Sequence, residues 1–303
     1  MYKRQIIFTS IFFESFPFLL LGALISSVIE TFISNEQMAR LIPKNKVLGS
    51  FVGVFLGFFL PACDCAVIPV AKRLIKKEVP LNVAISFMLA SPIINPVVLL
   101  STYNAFYRTN PKIFWLRLIF GVLISLLIGI IMGIIFNKKI VIKNALLEED
   151  DDECSCGHCH HHHKHKHTFK ENIISVAHHT AIDLFEVVKY LMFGALLASL
   201  VQALLPRSIL TLFNSNYVLS IITLMCFAYL VSLCSTSDSF VGKSLLPVFN
   251  EPAIMAYLLL GPMIDIKNTI VLLGNYKKNF VWTLIGLIFL IVFIFSLVMV
   301  RLL

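Results

Sequence analysis

An all-α integral membrane protein is the fold class that this sequence predicts, and its composition and charge pattern both indicate it. Of the 303 residues, 58% are hydrophobic and 14% are charged, whereas soluble domains carry about 25% charged residues. The charged residues cluster between apolar runs of roughly 20 residues, the length that a helix needs to cross a bilayer. Backbone groups inside a bilayer must pair within their own segment, so we expect these runs to be helical.

Eight apolar spans follow one another along the chain, interrupted once by a long polar segment. Their approximate bounds are 6–33, 48–71, 80–104, 113–136, 173–205, 217–246, 252–275 and 280–300. The polar segment lies between the fourth and fifth spans and has no apolar period. We therefore predict about eight transmembrane helices in two repeated four-helix halves with broken helices. The first repeat covers 1–136, a Cys/His-rich linker covers 137–171, and the second repeat covers 172–303.

The two halves repeat each other in sequence. Three pairs of segments match at intervals of 170 to 172 residues, namely Phe13-Glu14 with Phe185-Glu186, Cys63 with Cys234, and Ser91-Pro92-x-x-Asn95 with Gly261-Pro262-x-x-Asp265. Internal repeats are typical of transporters, whose binding site lies at the repeat interface. Four crossings in each half would make the repeats parallel, whereas one re-entrant segment in each half would make them inverted. Both topologies stay open at this point.

The basic residues bear on orientation and on the choice of partner. The net charge is +8, but Lys and Arg lie mainly at the ends of the apolar spans, where membrane topology explains them. We therefore expect the lipid bilayer, and no nucleic acid, as a partner. With eight crossings, 14 of these residues lie on the side of the termini and 10 on the other side. This narrow excess favours cytoplasmic termini and a cytoplasmic linker.

A cysteine pair between two prolines is the strongest candidate site. Cys63, Asp64 and Cys65 lie between Pro61 and Pro69 in the second span. Residues two apart point about 200° away from each other around a regular helix, but each proline removes a backbone hydrogen bond and favours unwinding. A carboxylate at the centre of a membrane helix costs about 2.5–3.5 kcal/mol, which suggests a function. Thiolates favour Cu(I) and Zn(II); the alternative is two small core cysteines.

Four further positions are candidates for contact with a substrate. Cys234 is the counterpart of the cysteine pair in the second half, and Asp238 follows it by four residues. Two prolines four apart predict a broken third span beside Asn95, and Asp265 occupies the matching place in the second half. Broken helices commonly form the binding sites of transporters. For Asn95 and Asp265, the alternative is a structural kink that the side chain caps.

Two glutamates occupy equivalent places in the first helix of each half. Glu14 and Glu186 are candidates for a proton relay, as intramembrane carboxylates often are. Alternatively, they lie near the surface and are solvated.

The linker contains a dense tract of potential metal ligands. Thiolates and imidazoles suit Zn or Cu, although the ligands are too closely spaced for a structural zinc finger. We expect this tract to bind metal, and a role in delivery, buffering or sensing stays open. Its candidate ligands are Cys154, Cys156, His158, Cys159, His160, His161, His162, His163, His165 and His167.

The motifs together resemble one family of bacterial membrane proteins. Phe13-Glu14 with Pro17, Pro61-x-Cys63-x-Cys65-x-x-x-Pro69, Ser91-Pro92-x-x-Asn95-Pro96 and Cys234-Ser235-x-x-Asp238 are similar to motifs of the predicted permeases. That family includes organoarsenical efflux permeases and a copper/zinc efflux branch. The resemblance covers both halves but not the linker. It implies a multi-pass permease of the bacterial inner membrane, with Cys63 and Cys65 as ligands of a thiophilic cargo.

The resulting hypothesis is a permease that exports its cargo by alternating access. The cargo would be a heavy-metal cation such as Zn or Cu, or a trivalent organoarsenical. We expect no enzymatic activity and no required cofactor, with Zn or Cu at the linker as the one candidate ion. Two alternatives stay open. One is a membrane thiol–disulfide relay that uses Cys63 or Cys65 with Cys234, and the other is a metal sensor that acts through the linker.

Overall fold

The computed structural model describes residues 2–32, 43, 45–59, 64–136, 141, 169–204 and 216–302. Helices dominate this part of the chain, which confirms the all-α fold class. They are α1 (Tyr2–Phe32), α2 (Lys46–Phe59), α3 (Val67–Lys76), α4 (Leu81–Ile94), α5 (Pro96–Phe106), α6 (Lys112–Ile135), α7 (Phe169–Leu204), α8 (Tyr217–Val231), α9 (Ser235–Leu245), α10 (Glu251–Met263), α11 (Ile266–Asn275) and α12 (Lys278–Leu302).

Six stretches of the described chain are long and apolar enough to cross a membrane. They are Gln5–Val28, Leu81–Phe106, Lys112–Ile135, Val176–Gln202, Glu251–Asn275 and Lys278–Arg301. The two remaining apolar helices, α2 and α8, have 14 and 15 residues. At 1.5 Å per residue they reach about 22 Å, less than the hydrocarbon thickness of about 30 Å. The predicted spans 48–71 and 217–246 are therefore each divided into two short helices.

The helix α2 runs parallel to α4, in close contact with it. A Cβ added to Gly49 would lie 3.1 Å from Val83, near the start of α4, and one added to Gly57 would lie 2.9 Å from the backbone of Ser91, near its end. The side chain of Asn82 also donates a 2.7 Å hydrogen bond to the carbonyl of Lys46. Both helices therefore begin at the same face of the protein and advance in the same direction.

Because α2 and α4 begin at the same face, α3 must return the chain to that face. The helices α2 and α3 form a hairpin, here called hairpin 1, whose tip includes Asp64 and Cys65 and whose base is followed at once by α4. The apolar pattern of 48–71 suggests one long span, but Lys72, Arg73 and Lys76 make α3 too polar to complete a crossing. This segment is therefore re-entrant, because it enters and leaves on one side.

The contact between α2 and α4 gives a testable difference between two glycines. A methyl group at Gly53 would overlap the carbonyl oxygen of Val83, whereas one at Gly286 would meet nothing within 4 Å. We expect Gly53→Ala to lower the free energy of unfolding by about 1–3 kcal/mol through overpacking. The matched control Gly286→Ala is expected to raise it by up to about 1 kcal/mol through helix propensity. Thermal unfolding in detergent measures both, and equal midpoints would contradict the packing argument.

The second half contains an equivalent hairpin, formed by α8 and α9 and here called hairpin 2. Gly261 of α10 packs against both Ala228, near the end of α8, and Asp238, near the start of α9. One turn or so further along α9, Gly242 packs against Leu258, earlier in α10. The helix α9 is therefore antiparallel to α10, and it returns the chain to the face at which α8 begins. The hairpin turns at Ser232, whose backbone is left-handed with φ of 50°.

The contacts between halves show that the two repeats are inverted. Thr102 of α5 lies 3.0 Å from Ser239 of α9, and Phe106 at the end of α5 packs against Gly242, so α5 and α9 run in the same direction. Since α5 continues α4 after the single break at Asn95, and α9 is antiparallel to α10, the helices α4 and α10 point in opposite directions. Three crossings and one re-entrant hairpin in each half account for this relation.

The two most buried helices are α4 and α10, which form the centre of the bundle. All residues of α4 are buried, and so are Pro252 to Met263 of α10. Both helices are apolar on every side, as expected of helices without a lipid-facing surface. The helices α1 and α7 instead pair with each other at the periphery, where Phe13 and Phe185 are exposed. Hairpins 1 and 2 pack beside the central pair.

Candidate functional site

A buried cluster of charges lies where hairpin 1 meets the broken span of the second half. The ammonium of Lys267 is 3.3 Å from the carboxylate of Asp64 and 3.5 Å from that of Asp265. All three side chains are at most 4% exposed. Charges this deep in a low-dielectric interior persist only when they are paired. The cluster therefore has one cation shared by two carboxylates from opposite halves of the chain.

Asn268 links this cluster to the cysteine motif. Its side-chain amide donates a 3.0 Å hydrogen bond to Asp64, and its amide oxygen lies 3.4 Å from the sulfur of Cys65, which donates to it. Cys65 is fully buried. The amide of Asn268 thus fixes the carboxylate and the thiol of hairpin 1 against the first turn of α11.

The breaks in the two central spans explain how these side chains are presented. Asp265 caps α11 by accepting a 2.6 Å hydrogen bond from the backbone N–H of Asn268. Asn95 caps α5 in the same way, accepting from the backbone N–H of Val97 at 3.0 Å. Both residues therefore hold the capping role that the sequence leaves open. Asp265 also contacts the ammonium of Lys267.

Two glycines, Gly22 and Gly194, lie 172 residues apart, at the interval of the sequence repeat, and bring the peripheral helices against the site. A Cβ at Gly22 of α1 would lie 2.6 Å from the Cβ of Ala66 in hairpin 1. A Cβ at Gly194 of α7 would lie 3.0 Å from the Cα of Lys267. The repeated glycines thus allow α1 and α7 to reach the two sides of the charge cluster.

A second buried cluster surrounds Asp238 of hairpin 2. Tyr257 donates a 2.8 Å hydrogen bond to Oδ1 of Asp238. Arg117 of α6 is completely buried and donates from Nη1 to the hydroxyls of Thr102 at 2.7 Å and Ser239 at 2.8 Å. Oδ2 of Asp238 and the Nε and Nη2 atoms of Arg117 have no hydrogen-bond partner among the described residues. This cluster is therefore incompletely satisfied.

Cys234 lies at the turn of hairpin 2, directly before α9. Its sulfur accepts a 3.4 Å hydrogen bond from the hydroxyl of Thr236, and the side chain is half-buried. Within the described chain, Cys65, Cys226 and Cys234 form no disulfide. Each hairpin thus carries one thiol at or beside its turn, Cys65 in hairpin 1 and Cys234 in hairpin 2.

Several predicted residues lie outside the part of the chain that the structure describes. These are Cys63, the side chains of Glu14 and Glu186, and every candidate ligand of the linker from Cys154 to His167. Among the residues that are described, no three His, Cys, Asp or Glu side chains form a metal-ligating group. The roles predicted for the cysteine pair, the glutamates and the linker stay predictions.

Comparison with known proteins identifies the family. The sequence profile of the family described as predicted permease matches residues 3–300.

The chain belongs to the predicted permease family.

Relatives of this permease come from several microbes. UPF0718 protein YcgR of Bacillus subtilis is 39% identical over 286 residues, covering 94% of this chain and 93% of the relative. A Streptococcus mutans protein named as a two-component membrane permease complex subunit is 36% identical over 293 residues, covering 96% and 93%. UPF0718 protein MJ0584 of Methanocaldococcus jannaschii matches 122 residues at 30% identity, 40% of this chain and 33% of the relative. No solved structure matches.

The family match confirms a multi-pass permease of a bacterial membrane. It agrees with the six membrane-crossing stretches, and it favours a transporter over an enzyme. Three functional candidates escaped the sequence analysis: Lys267, Asn268 and Arg117. A lysine or arginine within an apolar span is itself a signal, because such residues are costly in a membrane and mark functional positions. Asn268 carried no such signal, since its role depends on contact with hairpin 1.

Proposed function

We propose that this permease exports a thiophilic cargo by alternating access, with Cys63 and Cys65 as the cargo ligands. The observation that carries the proposal is the meeting of hairpin 1 with the broken span of the second half, where Cys65 and Asp64 contact Asn268 and Lys267. Irregular backbone at membrane depth is tolerated where it lines a binding cavity. Binding sites at the interface of inverted repeats are typical of secondary transporters.

The chemistry of the site favours a soft cargo. Two thiolates bind Zn(II), Cu(I) or a trivalent organoarsenical far better than they bind hard cations such as magnesium. Binding releases the thiol protons, so affinity falls when protons are abundant and release becomes possible on the acidic side of the membrane. The Cys/His linker favours a metal cation, because it would bind the same ions.

Lys267 balances part of the negative charge of the two carboxylates in the site. With its ammonium beside Asp64 and Asp265, the cluster keeps a buried cation even when no cargo is present. A cationic cargo would compete with Lys267 for Asp64, and this competition would weaken binding enough for release. We propose that four further residues shape the path of the cargo rather than bind it first. They are Asn95, Cys234, Asp238 and Asp265.

The test is accumulation of cargo by everted membrane vesicles under a proton gradient. Zn(II), Cu(I) and a trivalent methylarsenical would be offered in turn to vesicles with and without the permease. We expect accumulation of at least one cargo, and deletion of 154–167 is expected to slow it without abolishing it. If the linker deletion removed the phenotype while a variant lacking the cysteine pair kept it, a metal sensor would replace the carrier. No accumulation of any cargo would overturn the carrier for these substrates.

One observation supports a second candidate, a thiol–disulfide relay. Each half contributes one thiol, Cys65 at the tip of hairpin 1 and Cys234 at the turn of hairpin 2, and a relay needs two thiols that can approach each other. Such a relay would leave a disulfide between the halves that can be trapped in cells, with turnover dependent on a dithiol donor. A carrier would accumulate cargo without that disulfide.

A second subunit is also part of the proposal. The Streptococcus mutans relative is named as a subunit of a two-component complex, and the sequence contains no complete phosphate-binding loop. We expect a membrane partner to co-purify when the permease is isolated from its native membrane in mild detergent.

A further inference from the structure

Each re-entrant hairpin carries one buried aspartate, and each aspartate faces a cation from the other half. Asp64 of hairpin 1 contacts Lys267, which belongs to the second half. Asp238 of hairpin 2 is followed by Ser239, which accepts a 2.8 Å hydrogen bond from Arg117 of the first half. All four residues are at most 4% exposed. The charges that neutralise each hairpin are therefore supplied across the interface between the repeats.

The two charge pairs differ in one respect. The pair of Asp64 and Lys267 is closed at 3.3 Å. In the second pair, Arg117 donates to neither oxygen of Asp238, and Oδ2 of the aspartate and two guanidinium nitrogens have no partner in the described chain. Burying unsatisfied polar groups is unfavourable, and each one normally finds a partner. Arg117 and Asp238 therefore have the unsatisfied donor and acceptor atoms that a direct ion pair needs.

Closure would require only the bond between Arg117 and Ser239 of hairpin 2 to be exchanged. Arg117 contacts Thr102 and Ser239 through Nη1 alone, which leaves Nε and Nη2 to reach a carboxylate. Tyr257 occupies only Oδ1 of Asp238, which leaves Oδ2 to accept. Arg117 is on α6 and Asp238 is on α9, so a shift of hairpin 2 against the first half would bring the two side chains together.

We propose that the two cross-repeat charge pairs close in alternation, so that Arg117 and Asp238 pair in the conformation in which Asp64 releases Lys267. Alternating access in transporters with inverted repeats is largely a rocking of one repeat against the other. Because both pairs cross between the repeats, such a motion can open the first pair while it closes the second. Arg117 and Asp238 are thus positioning residues that stabilise the alternate conformation, and they need not touch the cargo.

The inference rests on the proposed carrier, but its test needs no cargo. Spin labels on a keto amino acid, which leave the native cysteines unchanged, would be placed at two pairs of exposed positions. One pair is Arg108 with Ser244, at the end where Asn110 contacts Glu251 across the halves. The other pair is Glu78 with Lys278, at the opposite end. Pulsed electron paramagnetic resonance in lipid nanodiscs then gives the populations of two distance distributions.

The matched isosteric variants Asp64→Asn and Asp238→Asn are expected to shift these populations in opposite directions. Asp238→Asn removes the pair of the alternate conformation, so the conformation described here should gain by about tenfold relative to the other. Asp64→Asn should have the reverse effect, and Arg117→Met should resemble Asp238→Asn. Arg117→Lys, which keeps the charge, should stay close to wild type.

Shifts in the same direction, or no shift in variants that elute as folded protein, would overturn the alternation. Glu251→Gln, outside the charge pairs, is the reference for a change at the interface that touches neither pair. A failure of this kind would leave cargo accumulation in vesicles intact. Failure of the carrier would instead appear in the vesicle assay while the opposite shifts remained.

Discussion

Replacement of both Cys63 and Cys65 by serine is expected to reduce cargo accumulation in everted vesicles to the level of vesicles without the permease. Serine keeps the size of the side chain but cannot supply a soft thiolate, and a two-coordinate site loses both of its ligands. The hydrogen bond from Cys65 to Asn268 can be made by a serine hydroxyl, so we expect the fold around Asp64 to persist. The measurement is the initial rate of uptake at saturating cargo.

The control for this prediction is the exposed cysteine of α8. Cys226 is exposed in the bundle, so Cys226→Ser should transport at the wild-type rate. Each single variant, Cys63→Ser or Cys65→Ser, should retain partial activity if the thiols share one cargo. Wild-type uptake by the double variant would remove the cysteine pair from the transport path.

Lys267→Met is expected to be the most destabilising single change in the permease. It leaves Asp64 and Asp265 buried without their cation, and removal of one member of a buried charge pair costs about 3–5 kcal/mol. Methionine preserves most of the volume, so the loss reports charge rather than packing. We expect a large fall in the midpoint of thermal unfolding and loss of transport. The exposed Lys278→Met is the matched control, and it should unfold like the wild type.

A double variant separates the charge effect from other causes. Asp64→Asn combined with Lys267→Met removes one carboxylate along with the cation, so it should recover part of the stability lost in Lys267→Met. Residues in one charge network show such coupling in double-mutant cycles. Additive losses would mean that Asp64 and Lys267 do not interact in the folded protein, against the 3.3 Å distance.

Much of the fold follows from local sequence properties. Apolar length and the absence of charge predict the long crossings such as 112–135, because a bilayer admits no other backbone arrangement. The hairpins could not be distinguished from crossings in this way, since 48–71 is nearly as apolar as a true span. The hairpin is recognised from the contacts of Gly49, Gly53 and Gly57 with α4, which show that α2 and α4 run in the same direction. Hydropathy carries no information about such tertiary contacts.

The candidate site was partly predictable for a similar reason. Asp64 and Asp265 stand out as carboxylates in apolar surroundings, and the structure brings both to Lys267. Their common partner could not be derived, because 203 residues separate Lys267 from Asp64 in the chain. Asn95 and Asp265 looked equivalent from the repeat. The structure shows the difference between them: both residues cap a helix, but Asp265 also contacts Lys267.

The odd number of crossings in each half determines which compartment each polar segment faces. The helix α6 ends, and α7 begins, at the face that holds the base of hairpin 1. The helix α1 begins, and α12 ends, at the opposite face. The termini and the linker therefore cannot all be cytoplasmic, as they could be with eight crossings. With six crossings, 14 Lys and Arg residues belong to the face at which α6 ends and 7 belong to the opposite face. Four more lie at membrane depth. From this excess of positive charge we propose that the linker is cytoplasmic and that both termini lie on the outer side. A metal held by the Cys/His tract would then be released on the side from which the proposed exporter loads its cargo.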